Sequence, residues 1–197
     1  MTSIVIATSN NNKIREISRI IGDIGIRWIA GSDFSVGTVE ETGSSYAENA
    51  EIKARAYSRA SGLPALADDS GLEVDALGGL PGVHSNRLFG QSKTDAEKVA
   101  ELLKRLEGVP ENKRTARFVC HAVLLESERV LASVRGSVEG YILDQPSGSG
   151  GFGYDPVFYY PELGKTFAGL SVTEKNAQSH RGQAMRKIRE FLLRYDA

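Results

Sequence analysis

The chain has 197 residues, 41 % hydrophobic and 25 % charged, with a formal net charge of -1, the proportions of a globular protein able to bury its own core. That balance excludes bulk attraction to nucleic acid or an anionic membrane, so a polyanionic ligand must meet local positive charge. The single cysteine excludes an intramolecular disulfide, no stretch approaches the ~20 apolar residues of a membrane span, and the start lacks a signal-peptide pattern, so a single cytoplasmic domain over 1–197 is expected.

Residues 3–7 read as a short strand, followed by the polar turn Thr8-Ser9-Asn10-Asn11-Asn12. A helix is expected from about Asn12, with Ile14, Ile17, Ile20 and Ile21 at helical spacing. Residues 25–30 suggest a second strand carrying the only tryptophan, Trp28. Ser45-x-x-Glu48 is a capping-box pattern, and the helix it opens should end at Gly62, with Ala47, Ala50, Ala54 and Tyr57 as a small-residue face. Strands are expected around 64–68 and 71–76, then the loop Gly78-Gly79-Leu80-Pro81-Gly82. Thr94-x-x-Glu97 caps another helix with Val99, Leu102, Leu103 and Leu106 on its apolar face. Residues 117–125 and 130–134 read as strands joined by a polar turn, with a third strand at 136–143. Residues 147–151 form a Gly/Ser loop, 157–160 a strand, and the last helix carries Met185, Ile188, Leu192 and Tyr195. Strands and helices alternate and then strands cluster, which predicts an α/β fold with a mixed sheet and helices on its faces.

The chemistry concentrates in a few segments. Asp68-Asp69-Ser70-Gly71 follows the apolar run Leu63-Pro64-Ala65-Leu66-Ala67, which places two adjacent carboxylates at a strand end. Like charges that close need compensation, and a hard divalent cation such as Mg²⁺ supplies it, whereas Asp-Ser-Gly is also ordinary turn chemistry. Thr8 to Lys13 set hydroxyl, amide and lysine groups at a helix N-terminus, a favourable place for phosphate, though an Asn-rich cap reads the same way. Glu40-Glu41-Thr42-Gly43 offers a further metal ligand or a pair of exposed glutamates. Gly148-Ser149-Gly150-Gly151-Phe152-Gly153 satisfies G-x-G-x-x-G, but Asp155-Pro156 follows where a helix should open, so a dinucleotide site is rejected. A loop delivering Phe152 and Asp155 to a ligand fits better, with Phe152 as a stacking face. His180 and Arg181 open the last helix as donors suited to a carbonyl oxygen, or as its solvated cap. Cys120 and His121 point to opposite faces of a strand, so they form no nucleophile–base pair, and Cys120 reads as core.

Taken together these segments resemble the inosine triphosphate pyrophosphatase family, the non-canonical purine nucleoside triphosphate (dITP/XTP) pyrophosphatases. The resemblance rests on Ala7-Thr8-Ser9-Asn10-Asn11-Asn12-Lys13, Glu41-Thr42-Gly43, Glu48-Asn49-Ala50 with Lys53-Ala54, and Ala67-Asp68-Asp69-Ser70-Gly71-Leu72. It continues through Pro81-Gly82, Gly150-Gly151-Phe152-Gly153-Tyr154-Asp155-Pro156 and Ser179-His180-Arg181-Gly182-Gln183-Ala184, in the family's order over nearly the whole chain. One departure is that Asn86 and Leu88 flank Arg87 where the family commonly has a small residue and an aromatic.

The resemblance implies a three-layer α/β/α fold with a mixed twisted sheet and two lobes around a central cleft. It implies a homodimer that hydrolyses ITP, dITP or XTP to the monophosphate and pyrophosphate, with Mg²⁺ and no nucleic-acid or membrane partner. By matching position, Thr8, Ser9, Asn10, Asn11, Asn12, Lys13 and Lys53 would hold the triphosphate. Glu41 and Asp69 would bind the metal, Asp69 also activating the attacking water with Asp68 in support. Ser70, Phe152, Gly153, Tyr154, Asp155, Lys175, His180 and Arg181 would hold the nucleotide, the last two near the base. Hypoxanthine and xanthine carry a 6-oxo acceptor where adenine carries an amino donor, so a donor there rejects adenine, while guanine must be rejected through its 2-amino group. Two rivals are a Maf-type enzyme, against which the His180-Arg181 segment argues, and a nucleotide sensor, which has no need for both Glu41 and Asp69.

Overall fold

A computed structural model of the chain describes residues 3–85, 88–90 and 92–195. In chain order it contains β1 (Ser3–Ile6), α1 (Asn11–Ile21), β2 (Arg27–Ala30), α2 (Tyr46–Ser61), β3 (Ala65–Val74), α3 (Asp95–Arg105), β4 (Thr115–Glu126), β5 (Arg129–Ile142), β6 (Phe158–Tyr160), β7 (Lys165–Thr166), α4 (Val172–Gln178) and α5 (His180–Tyr195). The strands form one seven-stranded sheet in the order β2-β1-β3-β4-β5-β6-β7. β1 runs parallel to β2 and to β3, whereas β6 is antiparallel to β5 and to β7, so the sheet is mixed as expected.

Contacts divide the chain into two compact units. The first comprises the described residues up to 70, 120–136 and those from 180 onward; the second comprises those within 71–119 and 137–179. In the first unit, strand alternation sorts the core into two faces. Ile4, Ile6, Leu66, Cys120, Ala122 and Leu124 pack with Ile17 and Ile21 of α1 and Ala184, Met185, Ile188 and Leu192 of α5. The intervening residues Val5, Ala7, Ala65, Ala67, Val123 and Leu125 pack with Ala50, Ala54 and Tyr57 of α2. The alanines on that helix allow its axis close to the strands. In the second unit Val99, Leu102 and Leu106 of α3 and its C-cap join an aromatic core in which Phe118 lies 4.6 Å from Phe158 and 5.6 Å from Phe167 between ring centres. Leu88 packs against that core; Asn86 and Arg87 lie outside the described residues.

Most boundaries follow the local signals. Asn10 caps α1, accepting from the N–H groups of Asn12 and Lys13, and Gly62 ends α2 at a φ of 68°. The Thr94–Glu97 capping box is complete, but at α2 only half of it forms, because Glu48 accepts from Ser44 rather than from Ser45. Two expectations are corrected. The strands at 64–68 and 71–76 are one uninterrupted strand, so Asp68-Asp69-Ser70 is neither a turn nor a strand end. The strands at 130–134 and 136–143 are likewise one, β5. Gly136, the break in the sequence pattern, is there for close approach: a Cβ would overlap the carbonyl oxygen of His180. The short elements β7 and α4 were without an expectation; α4 has its own capping box at Ser171 and Glu174.

Candidate active site

Successive side chains of a strand point to opposite faces, and β3 uses this to part its two aspartates. Asp68 falls on the face of Leu66, which α1 and α5 cover; Asp69 falls on the face of Ala65 and Ala67, which α2 covers. Adjacent like charges thereby take different hydrogen-bond partners.

On the first face the Asp68 side chain is fully buried. Its Oδ2 accepts from Lys13 Nζ at 3.0 Å, Arg181 Nε at 3.2 Å, Arg181 Nη2 at 3.1 Å and Ser70 Oγ at 2.6 Å. Arg181 also donates to Ser70 Oγ at 3.1 Å and, through Nη1, to Glu16 Oε2 of α1 at 2.6 Å. Burial opposes the Asp68 charge, but Lys13, Arg181 and Lys53 outweigh it and hold the carboxyl well below the usual range. The other oxygen, Oδ1, is buried and accepts no hydrogen bond among the described residues.

On the opposite face Asp69 Oδ1 accepts from Lys53 Nζ at 2.9 Å, and the same ammonium reaches Glu41 Oε1 at 2.8 Å. Asp69 Oδ2 accepts from Asn49 Nδ2 at 3.4 Å. Here burial prevails: it raises the Asp69 carboxyl, with Lys53 and Lys13 only partly offsetting it. For Lys53 burial is outweighed by Asp69, Asp68 and Glu41, which raise it. The two neighbouring carboxyls are thus pushed in opposite directions, Asp68 toward its ionised form and Asp69 toward its neutral one.

The turn before α1 places Ser9, Asn10, Asn11 and Asn12 at the surface. Thr8 Oγ1 accepts from Asn10 N–H at 3.1 Å, and Asn10 Oδ1 takes the N–H of Asn12 at 2.9 Å and of Lys13 at 3.3 Å. Asn10 thus serves as the helix cap. His180, buried, opens α5 against Gly136.

In the second unit Asp155 and Lys175 are buried, with Lys175 Nζ donating to Asp155 Oδ2 at 2.6 Å and standing 4.6 Å from the centre of the Phe152 ring. Phe152 N–H donates to the same oxygen at 2.8 Å, and Gly153 N–H donates to Asp95 Oδ2 at 2.6 Å. Gly151 has a φ of 72°, and a Cβ there would overlap the Asp155 carboxylate. Tyr154 donates its hydroxyl to Ser85 O at 3.0 Å, and burial raises that hydroxyl's pKa. The glycine-rich run is a built loop, and no α-helix follows it before α4.

The structure therefore joins Lys13, Asp68, Ser70 and Arg181 in one cluster, Glu41, Lys53 and Asp69 in a second, and Phe152, Asp155 and Lys175 in a third. Two participants escaped the sequence reading. Asn49 had a signal, as the polar member of the stripe Tyr46, Asn49, Ala50, Lys53, Ala54, Tyr57. Glu16 had none, because nothing local marks a partner far along the chain.

A model of the Ham1 family matches residues 4–191. The chain belongs to the Ham1 family. A dITP/XTP pyrophosphatase of Geobacillus kaustophilus (strain HTA426) is 51 % identical over 191 residues, covering 96 % of this chain and 94 % of that one. A protein of the same name from Escherichia coli O157:H7 is 44 % identical, with 98 % of each chain covered. Among solved structures, a HAM1 protein from Coxiella burnetii superposes with a TM-score of 0.87 at 45 % identity, 98 % of each chain covered. The Staphylococcus aureus Ham1 protein gives 0.86 at 39 % identity, covering 97 % of this chain and 98 % of that one. The α/β fold and mixed sheet are those of Ham1-family proteins.

Proposed function

We propose that this Ham1-family chain hydrolyses the non-canonical purine nucleoside triphosphates ITP, dITP and XTP between the α and β phosphates, releasing the monophosphate and pyrophosphate. The observation that carries the reading is that β3 sends Asp68 and Asp69 to opposite faces, where Asp69 shares Lys53 with Glu41 and Asp68 is held by Lys13 and Arg181. The substrate class is supported by the names of relatives 44 to 51 % identical over nearly the whole chain.

The residues fit a Mg²⁺ ion. Glu41 and Asp69 offer hard carboxylate oxygens that converge on the one Lys53 ammonium. Mg²⁺ binds through one or two carboxylates and completes its shell with water and substrate phosphates. When bound, such an ion would neutralise phosphate oxygens and stabilise charge on the leaving pyrophosphate.

Asp69 is the base in this reading. Its carboxylate takes the proton of the attacking water, and Lys53 steadies the resulting site. Lys13 and Lys53 offset triphosphate charge as mobile ammonium groups, with Thr8 to Asn12 supplying neutral polar contacts. Asp68, ionised throughout, holds Lys13 and Arg181 in place. Phe152 offers a stacking face kept rigid by Asp155 and Lys175, with Gly153 and Tyr154 beside it in the same loop. His180 and Arg181 are the donors proposed for the 6-oxo group. The same reading makes the protein a cytoplasmic homodimer, supported by the family resemblance and the single cysteine. No helix among the described residues is long and apolar enough to cross a membrane.

A pyrophosphate-release assay across ITP, XTP, dITP, GTP, ATP and dUTP, with and without Mg²⁺, tests the proposal. Release from the first three only, and only with the metal, is expected. Release of single phosphates, or preference for ATP, overturns it.

A further inference from the structure

Asn49 has no exposed surface, on a helix face otherwise lined by Tyr46, Ala50, Ala54 and Tyr57. A buried amide is costly unless its donors and acceptors are used. Its oxygen accepts from Gly43 N–H at 2.8 Å, and its nitrogen donates to Asp69 Oδ2 at 3.4 Å. Those neighbours also fix which way the amide points, since a peptide N–H must face the oxygen and a carboxylate the nitrogen.

Gly43 lies so close to the first turn of α2 that a Cβ would stand 2.6 Å from Glu48 Cβ and 2.7 Å from Asn49 Oδ1. Glu48 grips the next residue from outside, accepting Ser44 N–H at 2.6 Å and Ser44 Oγ at 2.9 Å. The backbone just beyond Glu41 is therefore fastened to α2 at consecutive positions, and only the inner fastening also touches Asp69.

We propose that Asn49 is a positioning residue for the Glu41–Asp69 acid pair. It ties the segment that carries Glu41 to the strand that carries Asp69, and it occupies Asp69 Oδ2 so that Oδ1 faces Lys53. The proposal rests on the pyrophosphatase reading above. Aspartate at this position would keep the acceptor for Gly43 but set a second carboxylate against Asp69, whereas alanine would remove both contacts.

The test compares the wild-type chain with Asn49→Ala and Asn49→Asp, reading kcat and KM separately for dITP with Mg²⁺. Thermal melting and hydrogen exchange at the Gly43 amide are followed in the same proteins without nucleotide or metal. Both variants should lose about tenfold or more in kcat, with KM within about threefold of wild type. Gly43 exchange should accelerate in Asn49→Ala and stay slow in Asn49→Asp. Wild-type kcat in either variant overturns the proposal, and so does a kcat loss that merely tracks loss of folded protein. If Asn49→Asp does not fold, Asn49→Ala decides the matter through kcat and Gly43 exchange. A wild-type protein that releases no pyrophosphate from dITP sinks the functional reading, while unchanged Gly43 exchange in Asn49→Ala sinks the role of Asn49 independently.

Discussion

The two units each bury a lysine–aspartate pair, yet they treat charge differently. In the second unit Lys175 and Asp155 neutralise one another, and Phe152 lies over the lysine. In the first, Lys53 bridges Glu41 and Asp69, and Arg181 bridges Glu16 and Asp68, with Lys13 also on Asp68. A cation held by one carboxylate keeps a local shape, whereas one shared between two carboxylates joins segments far apart in the chain. Under the proposed function, metal and phosphate chemistry belongs to the residues of the first unit.

The sharpest way to break that contrast is to neutralise the acids singly. Asp69→Asn should cut turnover by about 10²–10⁴ fold, the worth of a positioned base, while retaining dITP binding by calorimetry; full activity would remove Asp69 from the base role. Asp68→Asn acts on stability instead. It leaves Lys13 and Arg181 facing a neutral amide, and breaking a buried pair costs about 3–5 kcal/mol, more than Asp155→Asn, which frees one lysine. Denaturant melts of both variants measure this. The pH dependence separates the neighbours too. The folded Asp68 carboxyl lies below its ordinary 3.8, so its contribution is present above that value and is lost as pH falls toward the folded pKa. The folded Asp69 carboxyl lies above 3.8, so the folded state favours its neutral form, and that contribution is lost as pH rises through the folded pKa. Asp69→Asn should therefore melt no lower than wild type at pH 7, and Asp68→Asn should melt lower and lose part of the acid limb.

Much of this was legible beforehand because the signals are local. The caps at Asn10, Thr94 and Gly62 and the stripes of α1, α3 and α5 depend on residues a turn apart. The Asp-Ser-Gly run misled because its turn propensity is overridden by pairing within the sheet and by charges brought from α1 and α5. The same non-local origin hid Glu16. What alternation alone could have shown is that Asp68 and Asp69 must part company once β3 is continuous; the missing premise was the continuity.

Each charged cluster also leans on a glycine, and alanine there probes the contrast at smaller amplitude. Gly136→Ala would drive a methyl into the His180 carbonyl and the Ala184 N–H, backbone atoms of α5 that have little freedom to move. A loss of about 1–3 kcal/mol is expected, with weaker dITP binding as His180 and Arg181 shift. Gly151→Ala meets the end of a side chain but also needs a φ of 72°, which costs an L-residue about 1–2 kcal/mol. Its effect should fall on KM through Phe152 rather than on kcat. Equal melting and unchanged kinetics in both variants would show that neither cluster is held where the backbone puts it.

The smallest expected signal is a silence. Cys120 Sγ is buried 3.9 Å from Asp68 Oδ2, and burial, with help from that anion, pushes the thiol up to about 12. At pH 8 a thiolate fraction of about 10⁻⁴ follows, and no surface admits the reagent. Iodoacetamide should leave the native chain unlabelled and modify it on unfolding in guanidinium. Because this is the only cysteine, labelling reports on the first unit specifically. In Asp68→Asn the larger cause, burial, persists, so any faster labelling measures opening of that unit rather than a change in the thiol. Prompt labelling of the wild-type chain would mean that the face carrying Asp68 is not sealed, and the fixed anion at its centre would lose its physical basis.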